Sequence, residues 1–278
     1  MNQMTHLLAV LLMTQLLTAC VEIRDQDDLA KGGQVIVKEI RNLVIDEPYY
    51  FVDGEFIPAR RLHGKPKAEL SLLGTRNTYD FVVDSLTFTE KGVLFTMGHD
   101  VQITARVLES QNGMITTFPS EHEAGLMAQG ASGGNLILRV GYAEGQLNLL
   151  MKGERGGVGL PGGTPDPSMD GRSFPIPGFK GPPSFGCTQP KTGAPGGPGA
   201  RGGISGTAEV DIQASEGFVL NAKALPGMGG RGGPGGEGGR YCMGSPKRGP
   251  SGAVGPQGAD GSVQSLCIRI AERGRQCM

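Results

Sequence analysis

Glycine recurs at every third position in four separate blocks of this 278-residue chain. Gly153, Gly156, Gly159 and Gly162 frame GERGGVGLPGGT, and Gly193, Gly196, Gly199 and Gly202 frame GAPGGPGARGGI. Gly227, Gly230, Gly233, Gly236 and Gly239 frame GMGGRGGPGGEGGRY, and Gly249, Gly252, Gly255, Gly258 and Gly261 frame GPSGAVGPQGADGSV. A random flexible linker does not hold such a beat. A polyproline-II backbone has three residues per turn, so every third residue returns to one side. Residues 153–263 hold 33 of the 48 Gly and 15 of the 19 Pro, which argues against a single-core enzyme. Helix is disfavoured too, since each interior Gly costs a helix about 1 kcal/mol relative to Ala. The expected fold is therefore mainly β: a short-strand β-solenoid-like or sandwich domain followed by Gly-rich polyproline-II/collagen-like segments, with little or no helix after the signal peptide.

Residues 7–17 read LLAVLLMTQLL, an apolar run of signal-peptide length and too short to span a bilayer. Leu17-Thr18-Ala19-Cys20 follows and resembles a bacterial lipobox, although MNQMTH before the run carries no Lys or Arg. That resemblance implies residues 1–19 as signal peptide and lipidation at Cys20, with 20–33 a polar tether. Several acyl chains on one Cys make anchoring firm, whereas a single chain holds only marginally. Val21 in place of Asp after the Cys implies the outer membrane under the family's sorting rule, on its periplasmic or surface face.

Residues 34–152 read as a β-rich domain of short strands: QVIVKEI, ELSLL, YDFVVDSLTF, VLFTM, VQITARVLE, MITTF, NLILRV and QLNLLMK. Asp53-Gly54, Lys91-Gly92, Gly98-His99-Asp100, Asn112-Gly113 and Gly133-Gly134-Asn135 supply turn signals between them. An internal repeat relates LRVGYAEGQLNL at 138–149 to VDIQASEGFVLN at 210–221, an offset of 72. In each copy two strands are expected to flank a Glu-Gly turn, Glu144-Gly145 or Glu216-Gly217, with a Gly-rich block after it. The second copy is an inserted strand pair at 207–225 inside the Gly-rich region 153–263, and 264–278 is a Cys-containing C-terminal segment.

The lipobox and the four periodic blocks together resemble bacterial collagen-like lipoproteins; the strand-rich domain lies outside that resemblance. The collagen arrangement would need three chains with Gly at a crowded axis. Four or five triplets per block hardly offset an ordering entropy of about 1–2 kcal/mol per residue. Three blocks are partly Gly-Gly-X, which leaves two sides of such a helix as bare backbone. Helices of this kind can pack within one chain through N–H···O and Cα–H···O contacts. An intramolecular bundle is therefore expected over a flexible linker or a triple helix, and a monomer over a homotrimer.

Four Cys remain in the mature body, which is expected in an oxidising compartment. Three pairings are possible; Cys187–Cys242 with Cys267–Cys277 is favoured, tying two Gly-rich regions and closing a short C-terminal loop. Gly130-Ala131-Ser132-Gly133-Gly134 matches a nucleophile elbow, but it precedes a strand and every His lies before Ser132. Glu121-His122-Glu123 and His99-Asp100 lack a convergent partner for a metal, and no cofactor is expected. Net charge is −1, so no overall field steers the chain to nucleic acid, and Arg60, Arg61, Lys65 and Lys67 read as a solvated loop.

The expected role is structural or adhesive, non-enzymatic, with Arg155, Arg201, Arg231, Glu237 and Arg240 as exposed contact residues and a surface polysaccharide or protein as partner. A carbohydrate or cell-wall-binding module is the alternative, using Tyr49, Tyr50 and Phe51. A secreted polysaccharide-acting enzyme is the third reading and would need two carboxyls about 5–10 Å apart in a cleft.

Overall fold

Alternating apolar residues in the first half of the chain do form strands, several of them longer than expected. The computed structural model describes residues 35–52, 54–62, 78–163, 170–175, 185–242, 247–271 and 274–278. The leader, Cys20, the tether, His63, Lys65, Lys67 and the expected strand at 69–73 lie outside the described residues. The strands are β1 (Val35–Ile45), β2 (Pro48–Val52), β3 (Glu55–Pro58), β4 (Thr78–Phe88), β5 (Val93–Phe95), β6 (Asp100–Thr116) and β7 (Asn135–Lys152). They continue with β8 (Ser173–Pro175), β9 (Phe185–Cys187), β10 (Thr207–Leu225), β11 (Leu266–Ile270) and β12 (Arg275–Cys277). A short 3-10 turn, Ala59–Arg61, follows β3.

Ten strands make one mostly parallel sheet, and β8–β9 is a separate two-stranded hairpin. β1, β4, β6, β7, β10 and β11 lie side by side and parallel. The second halves of β6, β7 and β10 continue the ladder, with β5, then β2, then β3 added beyond β6. β10 comes from inside the Gly-rich region and β11 from just after it, yet both belong to this sheet. The change of composition at residue 153 is therefore no structural boundary, and residues 35–278 form one compact unit.

Asn112-Gly113, Glu144-Gly145 and Glu216-Gly217 were expected as turns between separate strands; the structure places all three inside continuous strands. The chain does reverse there. An 18-residue strand drawn straight would span roughly 60 Å. Yet Glu154 just after β7 donates its N–H to the carbonyl of Ala131 just before it, at 3.0 Å. Likewise Met97 before β6 donates to Thr117 after it, at 2.8 Å. Each long strand thus doubles over. Its two halves do not pair as a hairpin, because each half bonds its parallel neighbours and the apolar side chains fill the space between. Ile45, Phe88, Leu94, Ile103, Leu138 and Leu147 are among the fully buried members of that core.

Folding over requires a column of corner residues with unusual backbone. Asn112, Gly145 and Gly217 have φ of 67°, 82° and 60°. The ladder slips by one residue between Gln111 and Gly113 and again between Glu216 and Val219. A Cβ on Gly145 would stand 2.0 Å from the Ser110 carbonyl oxygen, whereas one on Gly217 would meet nothing within 4 Å. The β2–β3 hairpin was not anticipated, although its turn glycine Gly54 and its aromatics were noted. Phe51 is fully buried, and its ring meets those of Tyr79 and Phe81 edge-on at 4.8 and 5.7 Å.

The two repeat glycines therefore separate backbone strain from steric overlap. Gly217→Ala is expected to cost about 1–2 kcal/mol, the price of a left-handed backbone alone. Gly145→Ala adds a collision with main chain that cannot move away, and is expected to cost at least about 3 kcal/mol. Urea unfolding of the two variants measures the difference.

Candidate functional site

The Gly-rich blocks and the loop before β7 form five extended segments: I (124–134), II (153–163), III (193–206), IV (227–239) and V (249–262). Segments I, III and V run toward the sheet into β7, β10 and β11; II and IV leave it from β7 and β10. Main-chain bonds tie them together on a beat of three. Gly153, Gly156, Gly159 and Gly162 donate to the carbonyls of Leu225, Met228, Arg231 and Pro234 at 2.7–3.0 Å. Gly193, Gly196, Gly199 and Gly202 donate to Pro250, Ala253, Pro256 and Ala259. Gly227, Gly230, Gly233 and Gly236 donate back to Gly203, Ala200, Gly197 and Ala194, and the Gly252 to Gly261 series donates to segment IV. Gly197, Ala200 and Gly203 reach segment II at Leu160, Gly157 and Glu154, while Gly130 and Gly133 of segment I reach Arg201 and Ile204. These partners define two layers, I-III-V over II-IV.

Segment IV is flanked by II, III and V and carries two Gly rows. A Cβ on Gly230 would lie 2.0 Å from the Gly157 oxygen of segment II, and one on Gly232 would lie 1.7 Å from the Gly255 oxygen of segment V. Segment V closes the edge and keeps one Gly row, so it displays Ala253, Val254 and Gln257 outward. Val254 is 69 % exposed.

The expected contact residues divide. Arg201, Arg231, Glu237 and Arg240 are exposed on the third row of their segments. Arg201 also donates from Nε to the Asp260 carbonyl at 3.4 Å. Arg155 is instead half-buried beside Glu123, with which it shares a backbone bridge, because segment I passes over that row. Its Nε has no hydrogen-bond partner. Arg60 pairs with Glu47 at 3.1 Å.

Sequence reasoning missed a clasp where segment I crosses segment II. Glu154 is 3 % exposed, although it opens a Gly block. Its Oε2 accepts the Ala131 N–H at 2.7 Å, and its Oε1 lies 3.0 Å from His122 Nε2, without the alignment of a hydrogen bond. The His122 ring stacks on Phe118, centroids 5.5 Å apart and nearly parallel. The signal was faint: a Glu standing in a row otherwise continued by Gly157. Glu121 and Glu123 do not join it, and no group of three metal-ligating side chains forms among the described residues.

Cys187 and Cys242 are bonded and join the β8–β9 hairpin to the connection between segments IV and V. Cys267 is bonded to Cys277, directly opposite it across antiparallel β11–β12. Of the expected aromatic cluster, Phe51 belongs to the core. Tyr50 is half-buried and stacks on Phe95 with centroids 4.8 Å apart, and burial raises its phenol pKa. Ile57, Tyr50, Phe95, Thr116 and Leu150 stand in one register across β3, β2, β5, β6 and β7. Glu109, Glu144 and Glu216 form an exposed acidic row across β6, β7 and β10.

Gly230→Ala is expected to cost about 2–4 kcal/mol by forcing segments II and IV apart, while Arg231→Ala stays within about 0.5 kcal/mol. Glu154→Ala leaves the part-buried Ala131 N–H without its acceptor and the buried His122 ring without its neighbouring carboxylate, and is expected to cost about 2–4 kcal/mol. Denaturant unfolding checks all three, and amide exchange localises the Gly230 effect to the bundle. Compared with known protein families, curated proteins and solved structures, the chain matches none.

Proposed function

We propose that this protein is a bacterial envelope lipoprotein, anchored through acyl chains on Cys20, whose role is structural or adhesive and not enzymatic. In this reading segments II–V are polyproline-II rods of collagen-like sequence. They are bundled within one chain on a folded, solenoid-like sheet. The observation that carries it is the three-residue beat of main-chain bonds between segments. A helix with three residues per turn presents a donor to the same neighbour once per turn. At 3.1 Å per residue, segments of 11–14 residues would extend roughly 34–43 Å from the sheet. Such a bundle spends no large side chains on its interior and holds a stiff, polar surface away from its anchor. Bonding within the chain favours a monomer over a trimer, and the lipobox-like LTAC with Val21 favours the outer membrane.

A second reading, a carbohydrate-binding module, is favoured by the partly exposed Tyr50–Phe95 pair, since flat aromatic faces stack on sugar rings. It places the ligand on the sheet and leaves the bundle as a scaffold.

Expression of the full chain in a bacterial host tests the first reading. The N-terminal peptide is expected to begin at Cys20 with acyl chains attached, and Cys20→Ser to release the protein from the membrane fraction. An unmodified N-terminus cut elsewhere would overturn the anchor. Light scattering is expected to give a monomer with a polyproline-II circular dichroism signature; a trimer with a sharp collagen melt would overturn the bundle.

A further inference from the structure

The end of the bundle farthest from the sheet gathers charge that the rest of the chain does not share. Main-chain bonds bring its pieces together: Gly239 donates to Lys191, Gly171 to Arg240 and Tyr241 to Lys247, and Arg240 and Arg248 share a bridge. Thr188 donates to Arg172, which links the β8–β9 hairpin to the same group. Five cations, Arg172, Lys191, Arg240, Lys247 and Arg248, are thereby grouped, all exposed. The two described carboxylates there are already engaged. Asp170 accepts the Arg240 N–H at 2.5 Å, and Glu237 pairs with Arg248 at 2.6 Å. Among the described residues of this end five cations thus stand against two carboxylates, in a chain whose net charge is −1. Phe174, 45 % exposed, and the half-exposed Tyr241 stand among these cations.

We infer that this tip is a binding site for anionic polysaccharide. Cations attract the carboxylate or sulfate groups of such a polymer, and the exposed rings offer faces to the sugars between them. The Cys187–Cys242 bond and the main-chain bonds hold the group in place before any ligand arrives, which lowers the ordering cost of binding. A membrane surface fits less well. Interfacial binding rests on a broad apolar face, whereas five exposed cations surround the rings of Phe174 and Tyr241 here. Single-stranded nucleic acid fits less well too, since it is gripped by several stacking rings along a groove.

The site does not depend on lipid at Cys20, so the Cys20→Ser full chain serves as well as the anchored form, and a failure of the anchor leaves the test intact. Binding would be measured by calorimetry at low salt with heparin and polygalacturonate as anionic probes and dextran as the neutral one. Both anionic polymers are expected to bind and dextran not to. Attraction between exposed charges is screened by salt, so affinity should fall steeply as salt rises. A triple variant, Arg172→Ser, Lys191→Ser and Arg240→Ser, is expected to lose about tenfold or more in affinity, equivalent to 1.4 kcal/mol. Lys223→Ser with Arg41→Ser, both exposed on the sheet, should leave affinity unchanged. Equal binding of dextran, binding indifferent to salt, or equal losses in the two variants would overturn the site. So would binding confined to anionic vesicles or to nucleic acid. If the triple variant misfolds, Arg172→Ser alone is expected to weaken heparin binding about twofold, and an unchanged affinity would overturn the site.

Discussion

Close approach of one main chain to another is the constraint on which this architecture rests. In the bundle, carbonyl oxygens stand about 2 Å from where a Cβ would be on Gly156, Gly196, Gly202, Gly230 and Gly258. No side chain fits there, and the N–H of each of these glycines is satisfied by a neighbouring segment. The same rule governs the corners of the sheet, where Gly145 lies against Ser110 and Gly92 against the Ile45 carbonyl. Glycine is thus spent in two places, where strands fold over and where segments lie side by side. Elsewhere the sheet is built from ordinary alternating residues.

One register connects the two halves. Asn135 to Glu144 pair with Thr207 to Glu216 at an offset of 72, and Gly153 to Gly162 donate to Leu225 to Pro234 at that offset too. After Glu216 the pairing steps by one residue and keeps that step to the end of β10, where Leu225 stands opposite Lys152 and accepts the Gly153 N–H. The sheet therefore sets the alignment of the bundle. Each segment enters or leaves a strand whose neighbour is already in step, which removes much of the freedom a Gly-rich chain would otherwise lose on ordering. The Cys187–Cys242 bond acts at the opposite end, between connections that no sheet aligns.

The bundle was more legible in the sequence than the sheet. Period and repeat reappear in the structure as main-chain bonds spaced three residues apart and as a strand pairing at an offset of 72. The doubled strands were read as short pairs because Asn112-Gly113, Glu144-Gly145 and Glu216-Gly217 carry turn chemistry whether the flanking halves pair with each other or with parallel partners. β11 escaped notice because five residues with one Cys carry no periodic signal by themselves. Among site residues, Arg201, Arg231, Glu237 and Arg240 stand outward as their row predicts. Arg155 does not, because the crossing of segment I depends on a contact that no local pattern encodes. Phe118, His122 and Glu154 were hidden for the same reason, being brought together across 36 residues by that crossing.

The amino-acid order alone determined where main chain must lie bare, how often, and which two stretches are copies of each other. Those properties follow from the absence of a Cβ and from the backbone's own period. Only the tertiary structure decided which segments become neighbours, that three strands double over, and that five cations meet at one end. Each of these depends on partners distant in the chain, and the free energy of choosing among partners belongs to the assembled packing and to no single segment.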